Sequence, residues 1–374
     1  MSQRTKIAFY APLKPPDHPI PSGDRQMARM LFAALEHAGY EMELASKYIS
    51  YSKRHAKEHM DARIAGAHEE AQRIIERWQE NGTKPDIWFC YHPYDKSPDW
   101  LGMEICEQLD IPMITAEPCK TGQGPNGEWV PWRKEAQRGI KMAAMNIVMT
   151  HSDKAYLSTF IADEKVVWMP PFIDRDLLLE ANDFDASALW PDGDAVKLLS
   201  VGMMRPGAKL DSYKVLAESL RSVEHLNWSL LIAGGGPGMD EVCRLFSWAG
   251  ERVIFAGERS PEEVISLMIV ADALTWPGCR EAYGMVYLEA ACFGVPAIAL
   301  DNMGVPLVVE HKRTGLLADP EDEDGYASAL EQIIIDPKLR KSLGEGAKEF
   351  ALNGRSAIST AERLKTIIDD VLKD

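Results

Sequence analysis

Short runs rich in β-branched and aromatic residues recur along the chain, and stretches with apolar positions at helical spacing separate them. In the first half these strand candidates are Lys6–Tyr10, Glu41–Ala45, Ile87–Tyr91, Met113–Thr115, Ile147–Thr150 and Val166–Met169. In the second they are Leu198–Val201, Ser229–Ala233, Val253–Phe255, Ala273–Thr275 and Ala297–Leu300. Between them the pattern predicts helices such as Arg25–Ala38, stopped by Gly39, and Glu262–Ala271. The second of these opens on Ser260-Pro261-Glu262-Glu263, which supplies an N-cap hydroxyl, a proline in the first turn and a glutamate three residues on. Such alternation predicts an α/β protein with doubly wound parallel sheets. The polar, proline-marked stretch within Asp174–Val196 separates the halves. The expected domains are 1–180 and 181–355, with 356–374 a final helix whose candidate resting place is the first domain.

The length of 374 residues suits two cores of ordinary size. Net charge is −16, unevenly spread: residues 1–180 hold 22 basic against 26 acidic side chains, and the remainder 19 against 31. Such an acidic chain argues against nucleic acid as a partner. One basic cluster, Lys53-Arg54-His55-Ala56-Lys57, could meet phosphate or anionic lipid, or be a solvated helix face. The six cysteines form no Cys-x-x-Cys pair and read as reduced thiols of a cytoplasmic protein. The opening MSQRTKIAFYAP enters a strand at once and leaves no room for a signal peptide. No apolar run approaches the ~18 residues of a membrane span, so membrane contact would be peripheral.

The densest chemistry lies in Pro277–Pro296. A strand end, a glycine-bearing turn and a helix start near Tyr283-Gly284 would present free backbone N–H groups to a phosphate. Glu289 sits among Met285, Val286, Tyr287, Leu288, Ala290, Ala291, Cys292 and Phe293, so the helix reads as buried. A carboxylate there needs a partner. Either a ribose diol or an internal Arg or Lys would serve. Glu281 lies eight residues earlier, ~12 Å along the helix axis, which matches the reach from ribose to sugar in a nucleotide-diphosphate sugar. Taken alone, it is a helix-start acid.

Glu281 and Glu289 with Gly284 between them, followed by Ala-Cys-Phe-Gly-Val-Pro, resemble the E-x7-E block of GT-B retaining glycosyltransferases of family 4. The likeness continues through Asn302-Met-Gly304-Val-Pro306, Val309-Glu310 and Thr314-Gly-Leu-Leu317, and covers Ala233–Pro237, Phe255-Ala-Gly257 and Ala271-Asp272. In the first half it rests on Lys6–Pro12, Pro21-Ser-Gly23 and Met169–Asp174. The resemblance implies two Rossmann-like domains facing across a cleft, a nucleotide-sugar donor, a hydroxyl acceptor (saccharide, small molecule or lipid-linked) and no metal or other cofactor. By the same likeness Glu281 binds the donor sugar, Glu289 the ribose, and the amides of Tyr283, Gly284 and Met285 the distal phosphate. Gly23 corresponds to the glycine that closes over the phosphates from the other domain. The family's Arg and Lys on the diphosphate correspond to Arg205 and Lys209, although Met203 takes the common Arg place and the Lys is displaced.

Where the family often has a histidine after its fourth strand, Ile114-Thr-Ala-Glu117 has a glutamate. Glu117 could orient the acceptor or stabilise a cationic transition state, or be a structural acid. Lys120 and Trp129 are further candidates for the acceptor side. Gly234–Gly238 fails the dinucleotide spacing, since Met239 occupies the last position. The Asp-x-Asp pairs 183–185, 192–194 and 322–324 read as solvated acids. Rival readings on the same frame are a nucleotide-sugar epimerase, a phosphorylase, or a non-catalytic nucleotide-sugar-binding protein.

Overall fold

The computed structural model describes residues 4–20, 22–119, 127–179, 184–191 and 193–373. Pro21, Lys120, Asp183 and Asp192, named above, lie outside that range. The chain forms two compact units. Residues 1–170 join 357–374 in the first, and 171–356 make the second. The expected boundary at 180 therefore falls inside the second unit by contacts.

The first unit is a six-stranded parallel sheet of β1 (Lys6–Tyr10), β2 (Glu41–Leu44), β3 (Ile87–Tyr91), β4 (Met113–Ala116), β5 (Met145–Val148) and β6 (Val166–Trp168), in the order β2-β1-β3-β4-β5-β6. All five residues of β3 are buried, as a central parallel strand covered by helices on both faces requires. Behind the sheet, Trp78, Trp88, Trp100, Trp129 and Trp132 share one core cluster. The helix Gly23–His37 starts on Ser22, whose hydroxyl accepts from the Arg25 amide. It packs against the terminal helix Ala357–Val371, where the Tyr40 hydroxyl donates to Asp369 at 3.2 Å.

The second unit is a parallel sheet of β7 (Val196–Val201), β8 (Trp228–Ala233), β9 (Val253–Gly257), β10 (Ala273–Thr275), β11 (Ala297–Leu300) and β12 (Gly315–Ala318), in the order β12-β11-β10-β7-β8-β9. Both sheets are of the Rossmann-like kind the sequence predicts. The strand β12 was not among the predicted ones. The predicted capping box is present on the helix Pro261–Val270, with both the Ser260 and the Glu263 hydrogen bonds made.

Each sheet reverses its winding once, between β1 and β3 in the first unit and between β7 and β10 in the second. At such a point the loops from the carboxyl ends of two neighbouring strands diverge and leave a crevice. In the second unit those loops are 202–207 and 276–284, which carry most of the candidate residues.

Candidate functional site

In the second unit the loop after β7 is held by glycines that only backbone can approach. A Cβ on Gly234 would lie 2.0 Å from the Gly202 carbonyl oxygen, and one on Gly236 would lie 2.6 Å from that of Met204. The triple-glycine loop after β8 is thus a structural bed for residues 202–204. It clamps them through Met204 N–H to Gly235 O and Gly238 N–H to Met204 O, each 2.8 Å. That bed explains the glycine run without a dinucleotide.

From this loop the chain enters the helix Ala208–Ser222. Its first turn is tied to the loop after β10 at three points. Lys209 Nζ donates to Glu281 Oε2 at 2.6 Å, Arg280 meets Asp211 at 2.5 Å, and the Cys279 amide donates to Ser212 Oγ at 2.9 Å. Sequence reading gave Lys209 and Glu281 separate tasks; the structure pairs them. The Lys209 ammonium also lies over the Trp276 ring, 5.2 Å from its centroid. Arg205 is exposed, and among the described residues its guanidinium donates to the Met203 sulfur alone.

The loop after β10 is sharply folded. Gly278, Arg280 and Gly284 have φ of 70°, 54° and 79°. A Cβ on Gly278 would lie 2.3 Å from the Tyr287 hydroxyl, and one on Gly284 would lie 2.7 Å from the Tyr287 ring. Tyr287 is fixed in turn by donating to the Trp276 carbonyl at 2.8 Å. Gly284 is the N-cap of the helix Met285–Cys292, with no side-chain cap. The Gly284 and Met285 amides make no backbone hydrogen bond among the described residues and lie at the positive end of the helix dipole. Gly304 supports this loop from below: a Cβ there would be 1.6 Å from the Ala282 carbonyl oxygen.

Glu289 departs from expectation in one respect. The helix is not buried all round, because Met285, Val286 and Glu289 are each only partly covered. Glu281 stands in the turn before that helix, so the axial rise does not measure its separation from Glu289. Glu289 has no hydrogen bond or ion pair among the described residues. Desolvation alone pushes its carboxyl up to about 7. Cys292, one turn on, is pushed up to about 12 by burial and by that carboxylate. Among the described residues no Arg or Lys pairs with it, which was the alternative the sequence left open.

In the first unit the candidates line the carboxyl edge of the sheet. Gly23 opens the helix after the β1 loop. Glu117 directly follows β4, is 8% exposed and has φ of 54°. Its neighbour was missed: His92, directly after β3, has φ of 62°. The His92 ring Nδ1 lies 3.1 Å from the Glu117 carbonyl oxygen, and the His92 amide donates to Ala116 O at 2.7 Å. Two non-glycine residues with left-handed backbone follow adjacent strand ends and hold the His92 imidazole against the Glu117 main chain. Nothing in sequence spacing joins positions 25 apart. Trp129 packs in the core beneath, 6% exposed. Among the described residues no three His, Cys, Asp or Glu side chains converge to hold a metal ion, and no helix is long and apolar enough to cross a membrane.

Comparison with known proteins places this geometry in context. Residues 183–350 match the family model "Glycosyl transferases group 1". Over 164 residues (42% of the chain) the protein is 32% identical to a D-inositol 3-phosphate glycosyltransferase of Corynebacterium diphtheriae, 38% of whose length is covered. Over 239 residues (60% of the chain) it is 28% identical to the GDP-mannose-dependent alpha-(1-6)-phosphatidylinositol monomannoside mannosyltransferase of Mycolicibacterium smegmatis, 61% of whose length is covered. The matched stretches thus span less than two thirds of these relatives. In fold, the chain is similar along 99% of its length to sucrose-phosphate synthase of Thermosynechococcus elongatus (TM-score 0.73, 18% identity, all of that chain covered). It is similar along its whole length to a glycosyltransferase of Rickettsia africae (TM-score 0.74, 16% identity, all of that chain covered). The fold is therefore that of the two-domain GT-B glycosyltransferases.

Proposed function

We propose that the protein moves a hexosyl group from a nucleotide-diphosphate sugar to a hydroxyl acceptor, with configuration retained and without a metal. The observation that carries this reading is Glu289, a desolvated carboxyl with no hydrogen-bond or ion-pair partner among the described residues, about one turn in from the uncapped, glycine-started N-terminus of its own helix. Two ribose hydroxyls donating to that carboxylate would restore the hydrogen bonds that desolvation removed. The diphosphate would then meet the amides of Tyr283, Gly284 and Met285, with Arg205 and Lys209 as cations. Glu281 would receive the sugar hydroxyls.

In the transfer, the bond between the anomeric carbon and the diphosphate oxygen breaks, and its electron pair stays on the phosphate. The acceptor oxygen bonds to the same face of that carbon, and its proton passes to the departing phosphate oxygen. Negative charge grows on the diphosphate as this happens, so fixed cations and amides lower the barrier. Lys209, paired with Glu281 in the free protein, would transfer part of its interaction to the phosphate when donor arrives. Glu117, with His92 beyond the adjacent strand end, would serve the acceptor side. The named relatives include a GDP-mannose-dependent enzyme. Six free thiols agree with a reducing, cytoplasmic setting.

A panel of UDP, GDP, ADP and their sugars, read by thermal shift, tests the site. Donor at a hundredfold excess over its Kd adds ~2.7 kcal/mol. Product analysis then separates the alternatives. A new glycoside with free nucleotide supports transfer, an isomerised donor supports epimerisation, and binding without turnover across acceptors supports a sensor.

A further inference from the structure

The basic cluster does not sit on a helix face. Lys53, Arg54 and His55 lie in the loop that follows β2, and the helix begins only at Lys57. That loop rims a hollow of about 590 Å³ whose lining includes Tyr48, Tyr51, Lys53, Arg54, His59 and Arg63 and no carboxylate. Arg54 Nη1 approaches His59 Nε2 to 3.4 Å. In a chain of 57 acidic against 41 basic residues, an acid-free set of this kind is unexpected.

A neighbouring hollow of about 390 Å³ provides an internal control. It too is lined by cations, Lys47, Arg73 and Arg77, but each of them has its carboxylate: Asp17, Glu70 at 2.7 Å and Glu43 at 2.5 Å. In the larger hollow Lys53, Arg54 and Arg63 have no carboxylate partner among the described residues. Its walls are nonetheless fixed. The Tyr48 hydroxyl donates to Arg63 O at 2.8 Å, and Tyr48 lies so close to Gly66 that a Cβ there would be 2.8 Å from its oxygen. Ser52 closes a turn by donating to Arg54 O and accepting from the Arg54 amide, while its own amide donates to Lys96 O at 2.9 Å. Three unneutralised cations on a braced rim, with tyrosine faces beside them, suit an anion that carries an organic body.

We propose that this hollow binds the phosphate of an organic phosphate, with Lys53, Arg54 and Arg63 on its oxygens and Tyr48 and Tyr51 against the attached body. The site lies at the carboxyl edge of the first sheet, as do Glu117 and His92. Within the transfer reading, on which this step rests, the ligand is the acceptor, so the acceptor class is a phosphorylated alcohol. The phosphate belongs either to a free sugar or polyol phosphate or to a lipid headgroup.

Isothermal titration of the full chain with glucose 6-phosphate, inorganic phosphate and glucose addresses the free form, and sedimentation with phosphatidylglycerol against phosphatidylcholine vesicles addresses the lipid form. Glucose 6-phosphate should bind, inorganic phosphate should compete, and glucose should not bind. Selective retention on phosphatidylglycerol in place of this would assign the headgroup source. The combined variant Lys53→Gln, Arg54→Gln, Arg63→Gln should weaken whichever binding is seen at least tenfold, with the circular dichroism spectrum and nucleotide affinity unchanged. If neither probe binds the wild type, or if the variant binds as the wild type does, the inference falls. Phosphate binding without any glycosyl transfer leaves the hollow intact and removes the transferase reading instead.

Discussion

Replacing Glu289 by Gln removes a charge and keeps the shape, so it isolates the cost of ionising that carboxyl. In the folded protein its pKa rises from 4.5 to about 7. Between those values the folded chain holds a proton that the unfolded chain has released, so stability falls as pH rises through this window and levels off above 7. At about 1.36 kcal/mol per unit the full penalty is about 3 kcal/mol, and partial exposure lowers it to about 1–3 kcal/mol. Glu289→Gln should therefore match the wild type near pH 4.5 and exceed it by about 1–3 kcal/mol at pH 8. Urea denaturation followed by tryptophan fluorescence at pH 5 and pH 8 measures the gap. Nucleotide binding should change in the opposite sense. Because ribose hydroxyls favour the carboxylate, wild-type affinity should weaken as pH drops below 7, and the Gln variant should bind more weakly with a flat profile. A variant no more stable at pH 8, or one with undiminished nucleotide affinity, would refute the assignment of Glu289 as an uncompensated ribose acceptor.

Other substitutions probe the surrounding scaffold. Glu281→Gln should reduce transfer more than a hundredfold, about 2.7 kcal/mol or more in barrier, with the melting temperature nearly unchanged; full activity in a donor-saturated assay would free Glu281 from its role. Lys209→Met should cost only about 0.5–1 kcal/mol in urea, since the Glu281 pair is part-exposed, yet raise the donor KM. Gly304→Ala would place a methyl 1.6 Å from the Ala282 oxygen and should cost about 1–3 kcal/mol while weakening nucleotide binding, read by denaturation and titration together. Ser260→Ala should lose about 1 kcal/mol of stability through its capping box with kcat untouched.

The parts of this protein that local rules govern were legible from its sequence. The Ser260 cap, the parallel alternation, and the placing of Gly284 between two acids all depend on residues within one helical turn or one loop. What escaped depends on residues far apart in the chain. Lys209 and Glu281 are 72 positions apart, and no periodicity announces that the first turn of one helix will neutralise an acid on a distant loop. His92 escaped for a similar reason, since its value comes from adjoining Glu117 across a strand pair. The strand β12 carries too short an apolar run, Gly315–Ala318, to show alternation. The helix carrying Glu289 was expected to be buried because its composition is apolar; how much of each face is covered depends on what packs there, which composition does not say.

The helix Ala357–Val371 completes the first unit although it is made after the whole of the second. A domain usually finishes folding as soon as it leaves the ribosome, amino-terminal part first. Here that order is inverted: residues 171–356 have all their own strands while the helix Gly23–His37 of the first unit still waits for the helix it packs against. Cutting the gene after codon 170 would strip the helix Gly23–His37 of its packing partner and uncover Tyr40, whose hydroxyl meets Lys365 and Asp369. A soluble fragment of the first unit would need those last eighteen residues spliced back on by permutation or supplied as a separate peptide.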